Sequence, residues 1–101
     1  MNSFKNAKSP ILGAGTNIYT VPAATQAVIH SIYISNVSGI DTKHVTIKIG
    51  NIRLISNKAI LVNDCITLDK PFNLITGETL VILADDGDNT IEAFVSLMEI
   101  T

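Results

Sequence analysis

The chain is cut into short apolar runs by glycine, proline and asparagine at intervals of roughly ten residues. None of these runs carries apolar residues at the i, i+3, i+4, i+7 spacing of an amphipathic helix between helix caps. Strands are therefore expected, and helices are absent or one turn long. "TNIYTVP" (16–22) reads as a short strand that stops at Pro22, because proline cannot donate to a ladder. "TQAVIHSIYISN" (25–36) is the longest candidate, with Val28, His30, Ile32 and Ile34 on one side and Ala27, Ile29, Ser31, Tyr33 and Ser35 on the other. In "HVTIKIGN" (44–51) the alternation is clean, with Val45, Ile47 and Ile49 inward and Thr46 and Lys48 outward. "IRLIS", "AILVN" and "CITLDKPFNLITGETL" continue a meander of short strands, turned at Gly50, Asn57 and Gly77. The count is seven to nine strands, about eight, the pattern of an antiparallel β-sandwich or barrel.

The final pair of strands, "TGETLVILADDGDNTIEAFVSLMEIT", breaks the usual rule of one dry and one wet face. Ile91, Ala93, Val95 and Leu97 share one parity, and Phe94, Met98 and Ile100 share the other. With 47% hydrophobic and 16% charged residues, the chain has fewer charges than a usual soluble surface carries. Part of its surface is expected to be covered by another molecule. Ile29, Tyr33, Phe94 and Met98 are the candidates for that oligomer or partner interface, unless a bulge shifts the register and turns them to the core.

A length of 101 residues fits one domain. Residues 1–16 lack periodicity and contain Pro10, Gly13 and Gly15, so they read as an N-terminal arm or lead-in, a candidate for ordering only on a partner. Residues 17–101 read as a single β-sandwich domain. A sandwich of this size is expected to be stable by roughly 5–15 kcal/mol, so no metal or disulfide is required.

The net charge of -2 and the scatter of seven basic residues argue against direct nucleic-acid binding, which needs a clustered basic face. No apolar run approaches the roughly 18 residues of a membrane span, and the polar start "MNSFKNAKSPILGAGT" does not read as a secretory signal. The single Cys65 suits a reducing compartment and reads as a small hydrophobe in or near a strand. His30 is a candidate buried base, set against a structural or subunit-contact histidine; His44 reads as solvated. No cofactor is expected, and nothing pairs a nucleophile with a base or two carboxylates in unlike surroundings. The turn Asp85, Asp86, Asp88, Asn89 offers several hard oxygens to a cation, but lacks the order of a calcium loop and reads as a solvated hairpin. Gly13-Ala14-Gly15 has no preceding strand or following helix, so it does not read as a dinucleotide loop. Asn36-Val37-Ser38 matches a glycosylation sequon without a secretion signal.

The order of the segments resembles that of small head- or tail-associated virion proteins of bacteriophages. "YTVPA", "AVIHSIYISNVSG", "VTIKI", "LVND" and "LDKPFNLITGETLVILADDGDNTIEAFVSLMEI" carry the likeness, from about Thr16 to Thr101, with "LMEI" closing the chain where that family has an "LEI"-like end. The resemblance implies a jelly-roll-like β-sandwich that works as a building block, without catalytic residues. The expected function is that of a non-enzymatic virion structural protein, a capsid decoration or cement protein or a neck or tail accessory subunit. It would form a homo-oligomer, trimer or larger, and contact other virion proteins such as the capsid or tail protein. The virion would be its location after synthesis in the host cytoplasm. The alternative from another class is a carbohydrate-binding β-sandwich module for host-surface attachment, for which Phe4, Tyr19, Tyr33, Phe72 and Phe94 are the only aromatic residues and Trp is absent. A small cytosolic enzyme stands third.

Overall fold

The computed structural model describes residues 2–11, 15–84 and 90–101. Nine strands are assigned among them: β1 (Asn2–Pro10), β2 (Thr16–Thr20), β3 (Gln26–Asn36), β4 (Lys43–Ile49), β5 (Ile52–Ile60), β6 (Cys65–Leu68), β7 (Phe72–Leu74), β8 (Thr79–Ala84) and β9 (Ile91–Ile100). They form a five-stranded sheet in the order β1-β9-β3-β6, with β7 also paired to β3, and a four-stranded sheet in the order β2-β8-β4-β5. Every pairing is antiparallel. The first strand pairs with the last, the second with the last but one, and β4 with β5 at the middle of the chain. This is a long hairpin rolled up into two facing sheets, the topology of a jelly roll. The chain is all-β, as its punctuation predicts.

The core lies between the sheets. Ala27, Ile29, Ile32, Ile34, Val95 and Leu97 enter it from the five-stranded sheet, and Val45, Ile47, Leu80 and Ile82 from the four-stranded one. Val45 and Ile47 point inward as their alternation predicts, while Thr46 and Lys48 are half-buried on the other side. Each branched residue buried this way contributes about 1.5–3 kcal/mol of transfer free energy. Gly77 holds φ +86, so the "TGE" turn needs a residue without a Cβ, and Glu78 closes the turn by accepting the Ile75 N–H at 2.7 Å.

The parity of β3 changes within the strand. Ala27 and Ile29 face the core, and so do Ile32 and Ile34, because His30 is an extra residue opposite the Leu97–Ser96 step of β9. Its unbroken sequence alternation therefore does not describe the strand. Ile29, expected at the interface, is fully buried in the core; the bulge is the physical reason for that correction.

Residues 2–10, expected within an N-terminal arm, form β1 and run in continuous register along β9 from Asn2↔Ile100 to Pro10↔Glu92. None of its residues is buried, and Ala7 alone among them packs against the core. The strand escapes detection because its core-side residues Ser3, Lys5, Ala7 and Ser9 are small or polar, leaving no apolar alternation to read. Ordering such a segment costs about 1–2 kcal/mol per residue in backbone entropy, against net ladder hydrogen bonds of about 1 kcal/mol each. At the edge of the other sheet, β5 carries register irregularities against β4, Arg53, Lys58 and a positive-φ Asn57, features that blunt an edge against further pairing.

Candidate assembly face

The outer face of the five-stranded sheet is built from cross-strand rows. Partners in an antiparallel register point to the same side. Phe4, Met98 and Val28 form one row, and Lys8, Phe94, Tyr33 and Thr67 another. Between them lies a row of small polar residues, Asn6, Ser96 and Ser31. The face therefore carries two apolar clusters on either side of a polar strip. Phe4 is 78% exposed and Tyr33 46%, while Phe94, Met98 and Val28 are half-buried by their neighbours. The Tyr33 and Phe94 rings meet with centroids 6.4 Å apart at 55°, a tilted aromatic contact. Phe4 lies over the bulged His30, with ring centroids 6.0 Å apart, and the buried His30 Nε2 has no hydrogen-bond partner there.

Three of the four residues expected at an interface, Tyr33, Phe94 and Met98, are brought together on this face; Ile29 is not. Phe4 and Val28 complete the surface. Phe4 was hidden by its place in the polar first strand, and Val28 by the parity change at His30. A groove of about 410 Å³ opens beside the aromatic pair, lined by Lys8, Pro10, Tyr33, Ser35, Glu92 and Phe94 among others.

A polar cluster joins the two sheets beneath one end of this face. Glu99 occupies the last inward position of β9 and is buried. Tyr19 of β2 donates its hydroxyl to Glu99 Oε2 at 2.5 Å, and Lys5 Nζ of β1 lies 3.0 Å from Oε1. These two partners hold the Glu99 carboxyl below its usual range, the Tyr19 hydrogen bond first and Lys5 second. Desolvation, with the neighbouring carboxylate, pushes the Tyr19 phenol far above its ordinary value.

At the far end of the sheet, Asn36 is buried and its side-chain amide donates to the Asp41 and Ile60 carbonyls at 2.9 Å each and to that of Leu61 at 3.3 Å. Its Oδ1 accepts the Ser38 N–H at 3.0 Å. The residue is a loop hub, so the sequon it heads is closed to glycosylation in the folded protein. The loops it ties expose Val37, Ile40, Leu61 and Val62. Cys65 is exposed on β6 rather than packed as a small hydrophobe. His44 is half-buried on β4. Among the described residues no group of three or more His, Cys, Asp or Glu side chains could hold a metal ion. The acidic turn at Asp85, Asp86, Asp88 and Asn89, and Gly13, lie outside the described residues. No helix among the described residues is long and apolar enough to cross a membrane.

The fold defines a class: a small jelly-roll sandwich in which the outer face of one sheet carries the exposed Phe4 and Tyr33. The fold is similar to that of a chain in the acid-stable capsid structure of Helicobacter pylori bacteriophage KHP30, with a TM-score of 0.63 and 9% identity, covering 99% of this chain and 87% of that one. At that identity the likeness is one of fold. No family model matches the sequence, and no curated protein matches it.

Proposed function

We propose that this chain is a non-enzymatic structural subunit of a bacteriophage virion, assembling through the outer face of its five-stranded sheet. The observation that carries the reading is the apolar surface made by the exposed Phe4 and Tyr33 with the half-buried Val28, Phe94 and Met98, on a sheet whose opposite face already fills the core. Interfaces between permanent partners resemble a domain core cut in half, and residues of this type belong there. The similarity of fold to a phage capsid component, over nearly the whole of both chains, supports the virion setting. Because the matched chain belongs to a capsid structure, the reading taken here is a decoration or cement subunit on the capsid, ahead of a neck or tail accessory.

In this role the protein acts mechanically. Homo-oligomerisation, to a trimer or larger, buries the sheet face, and the exposed apolar loops around Asn36 supply a separate contact for a neighbouring virion protein. Many copies acting together convert weak single contacts into firm attachment. Tracing the chain into a density map of the intact particle tests the reading: density for this fold on the capsid surface is expected, and its absence from the whole particle overturns it.

The groove beside Tyr33 and Phe94 favours a second reading, a host-surface carbohydrate module, because aromatic side chains flanked by Lys8, Ser35 and Glu92 match the needs of a sugar ring. Glycan-array binding by a monomeric chain is the result that separates it from the first.

A further inference from the structure

We propose that β1 is an exchanged strand, and that in the assembly it pairs with β9 of a second copy of this chain. This rests on the structural-subunit reading and names what crosses between its copies. β1 buries none of its own residues, and its main attachment is the ladder with β9. Removing it takes no fully buried side chain out of the sandwich core. What it leaves behind is specific. The bared β9 edge has free backbone groups in an unbroken nine-residue register, and beside it lies Glu99, a buried carboxylate that needs a cation.

Lys5 is the cation that fits, at 3.0 Å from Glu99 Oε1, and Phe4 covers the bulge at His30 one register step away. The occupant that matches this edge in register, charge and shape is therefore β1 itself, its own or that of a neighbour. A strand supplied by a neighbour makes the same ladder and the same ion pair, so exchange sacrifices no contact. Ile11, the residue after β1, is fully buried and donates its N–H to the Ile91 carbonyl at 2.8 Å, which places the pivot at Pro10 and keeps the rest of the sandwich intact. When each copy passes its strand to the next, the contact is heterologous, and it closes into a ring where the rotation between copies divides a full turn; a ring of three or more copies is the form expected here.

The test uses the full chain with N6C and S96C in a C65S background. Asn6 and Ser96 are register partners on the polar strip, away from the apolar clusters. After oxidation of the native assembly, exchange is expected to give a ladder of covalent multimers on a non-reducing denaturing gel. Monomeric bands with both thiols consumed, from a sample whose native mass is that of a multimer, overturn exchange while leaving the assembly reading intact. A native monomer with an internal disulfide overturns both. Free thiols in folded protein show that β1 lies on no β9 edge and also overturn exchange. The pair N2C/I100C, at the other end of the same register, repeats the measurement should the first variant not fold.

Discussion

Tyr19 and Glu99, eighty positions apart in the chain, share a 2.5 Å hydrogen bond that ties the four-stranded sheet to the last strand of the five-stranded one. Glu99 stands at the end of the row Ile91, Ala93, Val95, Leu97, so its carboxylate occupies a position that the alternation of β9 assigns to an apolar side chain. It is tolerated there because Tyr19 and Lys5 both donate to it.

The sign of its pH dependence follows. A carboxyl held below its usual range contributes stability above its unfolded value, about 4.3, and loses that contribution as the pH falls below it toward the folded value. Tyr19 is shifted upward, so its contribution is present below the ordinary phenol value, about 10, and is lost as the pH rises above that. Thermal melts from pH 2.5 to 11 are expected to show Tm falling at both ends. Y19F should flatten the alkaline limb and weaken the acid one; an unchanged acid limb in both Y19F and E99Q contradicts the role given to this cluster.

Substitutions on the two faces of β3 and β9 should separate cleanly. F94S/M98S is expected to lower the native mass while the β-type circular dichroism and the urea midpoint stay close to wild type. I29A should act the other way, costing about 2–5 kcal/mol of stability as a buried isoleucine truncated in a packed core. Urea titration and light scattering on the same samples check both, and a loss of fold in F94S/M98S would place those residues in the core.

Asn36 is expected to be worth more than any single loop residue. Asn36→Ala leaves the Asp41 and Ile60 carbonyls and the Ser38 N–H without their side-chain partner, at a cost of about 1–3 kcal/mol for each polar group left buried and unsatisfied. A urea midpoint within error of wild type would show that these loops are held by other means.

Much of the fold was legible where side chains alternate against a single core. Val45 and Ile47 on β4 obey the rule because that strand sits in the middle of a sheet with one face inward. The rule fails at His30, where an inserted residue reverses the inward parity, and nothing in the identity of histidine marks a bulge. It fails again in β1, where Ala7 alone packs against the core and the other inward positions are small or polar, so no apolar alternation shows. Of the candidate face, Tyr33, Phe94 and Met98 were readable from the double parity of the apolar residues. Phe4 and Val28 were not, because their membership depends on long-range pairing with Met98.

The claim that the outer sheet face requires a partner is tested most directly by light scattering coupled to size exclusion on the purified full chain across a concentration series. The expected result is a stable mass of three or more chains that falls in F94S/M98S. A wild-type monomer at every concentration, soluble and unchanged by those substitutions, would contradict it.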